Sequence, residues 1–284
     1  MKVNTLGVVG AGQMGGGIAQ VAAQAGLQVV LHDVNDELTR KGIGAIDRNL
    51  GRMVEKGKLT ASQQKEIVAR IQPVTDLGAM RSVDLTVEAA TENLEIKRKI
   101  FSKLDEVTPP SAILASNTSS ISITTLAGST RRPAKFVGIH FMNPVPVMKL
   151  VEIIRGLLTS DETYRAALDL CAKLGKETVT AADSPGFLIN RILCPMINEA
   201  VFALEGGIAT AEDIDKAMKL GTNHPMGPLE LADFVGLDTC LAIMEILHRD
   251  LGEDKFRPAP LLRKYVAAGL FGRKSGRGFY TYTK

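Results

Sequence analysis

The feature that most constrains this chain is a glycine run set between a strand pattern and a helix pattern. The apolar segment Leu6 to Val9 passes directly into Gly10-Ala11-Gly12-Gln13-Met14-Gly15. A helix then opens whose apolar positions Met14, Ile18, Val21, Ala22 and Ala25 form one stripe, ending at Gly26. In such an arrangement the first glycine allows the tight turn. The second lets the backbone approach a pyrophosphate, and the third lets the helix pack on the strand. The helix start offers free N–H groups and a positive dipole end to phosphate. A GxGxxG run alone is a weak signal, but here an acid closes the next strand candidate: Asp33 lies 18 residues beyond Gly15. A carboxylate there accepts hydrogen bonds from an adenosine ribose and repels a 2′-phosphate, and Val34 and Asn35 supply no cation in its place. The expected cofactor is therefore NAD, held by Gly10, Ala11, Gly12, Gln13, Met14, Gly15 and Asp33.

Beyond this motif, strands and helices alternate as far as about Thr180. The candidate strands are Leu6 to Val9, Gln28 to Leu31, Leu85 to Glu88, Ala112 to Ala115, Phe136 to Phe141, Leu150 to Ile154 and Glu177 to Thr180. Alternation of this kind predicts βαβ units and a doubly wound, mostly parallel α/β sheet of Rossmann type. Residues 36–72 read as a helical hairpin inserted where a short crossover would do. Ile43, Ile46, Leu50, Met53 and Val54 form its first stripe, Gly57 breaks it, and Thr60 with Gln63 caps a second helix carrying Ile67, Val68 and Ile71. After Asp183-Ser184-Pro185-Gly186 the pattern turns wholly helical: 187–204, 211–220, 229–234, 239–249 and 261–268. Two domains follow, residues 1–182 and an all-α region 183–284, with the functional cleft expected between them.

Charge narrows the class of ligand. The hairpin 36–72 holds eight Lys/Arg against five acids, which is the whole net charge of +3; the remaining 26 cations and 26 acids balance. That is too sparse for a nucleic-acid surface, yet it suits either a small polyanion or a solvated helix face. No run approaches 18 apolar residues, so no membrane span is expected. Cys171, Cys194 and Cys240 are scattered without metal spacing, so no metal site is expected and the thiols read as buried in a reducing compartment. Strand-like sequence from Leu6 leaves no room for a signal peptide, and the expected location is the cytoplasm.

Exchange of hydride with an alcohol carbon needs a base, and histidine is the natural candidate near neutral pH. His248 falls on a polar helix face, His224 in a loop, and His32 at a strand end beside Asp33. His140 differs, because it falls near the end of a strand, at the carboxyl edge where α/β sheets bind ligands. Glu152 follows twelve residues later, after a Pro144-Val145-Pro146 turn able to fold it back. By spacing alone the two are equally a pair or two unrelated side chains. Asn190, in a very apolar helix, reads either as a substrate contact or as a structural bond between domains. Lys97 reads equally as a solvated helix charge.

Several longer segments carry a resemblance. Ala115-Ser-Asn-Thr-Ser-Ser120, His140-Phe-Met-Asn-Pro-Val-Pro-Val-Met-Lys-Leu-Val-Glu152 and Asp183-Ser-Pro-Gly-Phe-Leu-Ile-Asn-Arg191 resemble signatures of the L-3-hydroxyacyl-CoA dehydrogenases. Met218-Lys-Leu-Gly221, Met226-Gly-Pro-Leu-Glu-Leu-Ala-Asp233 and Gly272-Arg-Lys-Ser-Gly-Arg-Gly-Phe-Tyr280 do so too, in family order and nearly end to end. The similarity is greatest to the short bacterial 3-hydroxybutyryl-CoA group; Met142 departs from it where a second aromatic is usual. The resemblance implies reversible NAD-dependent oxidation of a short-chain (S)-3-hydroxyacyl-CoA to the 3-oxoacyl-CoA. It implies His140 as acid/base, Glu152 as its partner, and Ser119 and Asn190 near the reacting carbon. Glu92, Lys97, Ser119, Asn143 and Lys274 fall where the family contacts NAD. Lys56 falls at a coenzyme A contact, and Asn49 replaces a neighbouring family serine. A homodimer through the helical domain is implied as well. Two alternatives stay open: a dehydrogenase of a free hydroxy or sugar acid, and a non-catalytic NAD-binding relative.

Overall fold

Eight short runs rich in Val, Ile and Leu pair into one sheet. They are β1 (Thr5–Val9), β2 (Gln28–His32), β3 (Ile71–Val74), β4 (Leu85–Glu88), β5 (Ile113–Ser116), β6 (Phe136–Phe141), β7 (Leu150–Arg155) and β8 (Glu177–Ala182). The computed structural model describes residues 2–282, and its sheet runs β3-β2-β1-β4-β5-β6-β7-β8. Pairing is parallel except between β6 and β7, so β7 and β8 run against the rest. The central strands are buried on both faces, as βαβ crossovers require. The crossovers are α1 (Gln13–Gln24), α2 (Asp36–Glu55), α3 (Ala61–Ala69), α4 (Leu94–Val107), α5 (Ile123–Ala127) and α6 (Asp161–Lys173).

Alternation along the strands sends the two sets of side chains to opposite faces. Val8, Leu31, Val87, Ala115, Ile139 and Val151 share one core with Ile18 and Ala22 of α1. The register matches Val9 with both His32 and Glu88, Glu88 with Ser116, and His140 with Glu152. These polar residues therefore share the opposite face, where Phe136 stacks edge-on against Phe101 of α4 at 4.6 Å. One face is an apolar floor; the other carries its polar groups along the carboxyl edge.

The α2–α3 hairpin forms as its caps dictate. Gly57 takes a left-handed φ of 68°, and Thr60 and Gln63 make the reciprocal capping box. The hairpin is anchored by Ile46, Leu50 and Ile67 in the apolar core. The expectation for Ile71 is corrected. It sits four residues after Ile67 and fits the helical stripe, but the helix ends at Ala69 and Ile71 starts β3. A strand containing Pro73 pairs there because β3 lies at the sheet edge, where one missing N–H is tolerated.

The chain divides after Ser184 into two compact units. The second holds α7 (Ile189–Glu205), α8 (Ala211–Gly221), α9 (Pro228–Val235), α10 (Leu237–Leu251) and α11 (Pro260–Ala267). They pack around Ile197, Val201, Leu229, Leu237 and Leu262. The first of these helices starts two residues later than the periodicity suggests, because Gly186 and Phe187 take φ of 74° and 49°. Two buried carboxylates clasp the tail to this bundle. Asp233 accepts from the N–H groups of Phe279 and Tyr280 and from the Tyr282 hydroxyl, and Asp215 accepts from the Tyr280 hydroxyl. Gly278 is obligatory in the clasp, since a Cβ there would lie 1.9 Å from Asp233 Oδ1.

No helix among the described residues is long and apolar enough to cross a membrane. All three cysteines are free and buried, and burial pushes the Cys171 and Cys194 thiols up to about 12.

Candidate active site

The glycine loop shows why each glycine is needed. Gly10 takes φ of 101°, and a Cβ on it would press on the Ala89 carbonyl at 2.6 Å. A Cβ on Gly15 would strike the Gly10 carbonyl oxygen at 1.7 Å, so helix and strand close only on a glycine. Gly12 is different: a Cβ there meets nothing within 4 Å. Its bare backbone answers no need of the protein itself and leaves room for a ligand. Gly12 borders two cavities, of about 760 Å³ beside His32, Asp33 and Asp76, and about 540 Å³ beside Asn49 and Asn143. Asp33 accepts from the Ala11 N–H at 2.7 Å and from the Val34 N–H at 2.7 Å, which ties the loop to the end of β2. Gln13 donates to Asn143 Oδ1 at 3.0 Å, so the loop also holds the segment after β6. The open glycine, the free start of α1 and the carboxylate closing β2 together fit a dinucleotide.

Along the carboxyl edge the structure brings His140 and Glu152 together. Because β7 runs back along β6, Glu152 stands opposite His140, with Nδ1 2.7 Å from Glu152 Oε2. His140 is 6% exposed and Glu152 not at all. An ionised carboxylate only accepts, so Nδ1 carries the hydrogen and Nε2 presents its lone pair. Nε2 lies 3.0 Å from the Ser119 hydroxyl. Ser119 sits on the segment after β5, which Glu92 gathers by accepting from the Thr118 hydroxyl and from the Ser119 and Ser120 N–H groups. Burial works against ionisation of Glu92, but Lys97 and these donors outweigh it and hold its carboxyl below the usual range.

Lys97 is 1% exposed and pairs with Glu88 at 2.7 Å, so it is no solvated helix charge. Asn49 and Lys56 lie exposed on the hairpin, Asn49 within reach of Gln20 at 3.4 Å. Asn190 is the second residue of α7, and Lys274, on the clasped tail, pairs with Asp238. His32 is buried, its pKa lowered chiefly by burial; His248 lies 3.7 Å from Asp254 on the surface.

Similarity decides the family. The model of the 3-hydroxyacyl-CoA dehydrogenase NAD binding domain matches residues 5–184, and that of the C-terminal domain of the same family matches residues 186–282. The chain belongs to the 3-hydroxyacyl-CoA dehydrogenase family. It is 59% identical over 276 residues to a probable 3-hydroxybutyryl-CoA dehydrogenase of Deinococcus radiodurans, covering 97% of this chain and 99% of that one. It is 54% identical to a 3-hydroxybutyryl-CoA dehydrogenase of Bradyrhizobium diazoefficiens, covering 99% and 96%. Among solved structures, the (S)-3-hydroxybutyryl-CoA dehydrogenase of Ralstonia eutropha superposes with a TM-score of 0.97 at 52% identity, covering both chains completely.

Sequence reasoning missed several groups around this candidate site. Glu88 and Ser116 end their strands on the polar face and bond to each other at 2.7 Å. Asn117 accepts from the Phe141 N–H at 2.8 Å and so ties the segment after β5 to β6. Asp183 accepts from the Ser122 hydroxyl and from the Ile123 and Thr124 N–H groups, capping α5. A carboxylate closing a buried strand, as Glu88 does, was the one signal the sequence offered.

Proposed function

We propose that this protein catalyses the reversible NAD-dependent oxidation of short-chain (S)-3-hydroxyacyl-CoA, with (S)-3-hydroxybutyryl-CoA and acetoacetyl-CoA as the pair. The observation that carries the reading is the buried Glu152–His140 pair, with Nε2 turned to the Ser119 hydroxyl. His140 takes the 3-hydroxyl proton on Nε2 during oxidation and returns it during reduction. Glu152, fully desolvated, fixes the tautomer and stabilises the imidazolium as it forms. Ser119 and Asn190 orient the substrate oxygen at the reacting carbon. When bound, NAD would supply the hydride acceptor for C3, and NADH the donor in reverse. Gly10 to Gly15 and Asp33 hold its adenosine and pyrophosphate, and Glu92, Lys97, Ser119, Asn143 and Lys274 its nicotinamide half.

The hairpin takes the coenzyme A nucleotide, with Lys56 as a phosphate contact and Asn49 on the wall of the cavity of about 540 Å³. The protein works as a homodimer through its helical unit; the exposure of Ile192 (63%), Ile208 (79%) and Leu220 (77%) supports this. Free buried thiols suit the cytoplasm.

A panel of 3-oxoacyl-CoA thioesters of increasing length, assayed with NADH and with NADPH, tests the reading. Turnover is expected to be greatest with acetoacetyl-CoA and NADH. Comparable turnover of free 3-oxo acids favours the alternative of a free hydroxy acid, and comparable use of NADPH contradicts the role of Asp33.

A further inference from the structure

Residues 142–149 join β6 to β7, a connection too long to be fixed by a tight hairpin turn alone. The loop is also poor in donors, because Pro144 and Pro146 carry no N–H. Inside it, the Val147 and Met148 N–H groups both bond to the Pro144 carbonyl, at 3.0 and 2.9 Å. The carbonyls of Val145 and Met148 are met from outside by one side chain: Lys176 Nζ donates to them at 2.5 and 2.8 Å. Lys176 stands in the turn between α6 and β8. Its own N–H bonds to the Cys171 carbonyl at 2.9 Å, and the next N–H, of Glu177, to the Lys149 carbonyl at 3.0 Å. Val145 itself is buried against α1, so close that a Cβ on Gly17 would lie 2.8 Å from Val145 Cβ. The loop is thus pinned at its middle by α1 and by Lys176.

The loop is also a wall. Asn143, Pro144, Val145 and Pro146 border the cavity of about 540 Å³, which Lys41, Ala45 and Asn49 of α2 line as well; Lys176 itself does not border it. We propose that Lys176 is a positioning residue for substrate binding: it latches the loop between β6 and β7, and the latch holds the cavity wall where it takes the acyl-CoA. The proposal rests on the reading of this cavity as part of the coenzyme A site. Burial of the ammonium, which pushes its pKa below the ordinary lysine value, is a cost that a lysine left in solvent would avoid. Bonds to two carbonyls offset that cost only while the loop stays in place. The pairing of His140 with Glu152 is set separately, by the register of β6 on β7, so the latch acts on binding and not on proton transfer.

The test uses the full-length protein. Lys176→Met keeps the aliphatic stem and removes the donors. It is expected to raise the KM for acetoacetyl-CoA by about fivefold, the scale of one lost hydrogen bond, and to leave kcat within about twofold of the wild type. Amide exchange at Val147 and Met148 should quicken, since their bonds to Pro144 depend on the latched loop. Lys176→Arg keeps charged donors and should bring both KM and protection most of the way back. A lysine that only stabilised the fold would lower Tm and leave KM alone, and that result overturns the proposal. So does a lowered kcat with KM unchanged, which would tie Lys176 to the chemistry. A raised KM without quicker exchange would mean that the ammonium meets the coenzyme A phosphates directly, and overturns it too. Should Lys176→Met fail to fold, Lys176→Gln decides: unchanged KM and unchanged protection in that variant overturn the proposal. A wild type inert toward acetoacetyl-CoA defeats the function instead; the exchange rates of Val147 and Met148 then decide the latch alone.

Discussion

The carboxyl edge of the sheet and the α2–α3 hairpin treat charge in opposite ways. Along the edge, Glu88, Lys97, His140 and Glu152 are buried and each is bonded to a named partner. On the hairpin, Arg40, Lys41, Arg48, Lys56 and Lys58 stand in solvent, while only the apolar stripe beneath them is anchored. Buried charges are expensive, so each must be met by a fixed partner, and the result is geometry. Exposed charges cost little and create a field, but one that salt screens over about 10 Å. The first region is suited to moving a proton at one atom, the second to drawing in a polyanion. The two are not independent: Gly42 of α2 packs so close to the glycine loop that a Cβ there would lie 2.6 Å from the Ala11 carbonyl.

The difference is sharpest at the base. His140→Gln is expected to keep fold and NADH binding while lowering turnover in both directions by about two to four orders of magnitude, the usual contribution of a general base. Near-normal turnover would remove His140 from the chemistry and dissolve the contrast.

A smaller effect is expected from Glu152→Gln, about ten- to hundredfold in kcat, as for losing a charged hydrogen bond. The loss should fall in kcat, with the KM for NADH unchanged. A kcat equal to that of the wild type would show that the two groups meet in the fold but not in the reaction.

The hairpin should give the smallest and most salt-dependent effect. Lys56→Ala should raise the KM for acetoacetyl-CoA by about tenfold, or ~1.4 kcal/mol of binding, and leave that for NADH alone. Added salt should shrink the difference between variant and wild type. A truncated thioester lacking the nucleotide should be reduced equally well by both proteins. Equal losses with both thioesters would make Lys56 a prop for the fold, and the hairpin no different from the edge.

What the sequence by itself determined is the part written in local rules. The fit of Gly15 against the Gly10 carbonyl, the hairpin broken at Gly57, the capping box at Thr60 and the alternation of strands and helices all depend on residues a few positions apart. His140 and Glu152 were legible as candidates, since each falls on a strand and the Pro-rich turn lies between them. Whether they meet was not, because twelve residues of spacing do not say that β7 reverses direction, and a one-residue slip in register would send Glu152 to the other face. Ile71 misled for a related reason: its spacing fits a helix, and only the sheet edge made a proline-containing strand acceptable. The Glu88–Lys97–Glu92 cluster left almost no trace in the sequence. Its members look like a strand end, a loop acid and a helix lysine, and their ionic pairing follows from how α4 packs on the sheet. Backbone turns are decided within a few residues, where sterics and capping act. The partner of a buried charge is decided by register and packing between elements distant in the chain, and those exist only once the chain has folded.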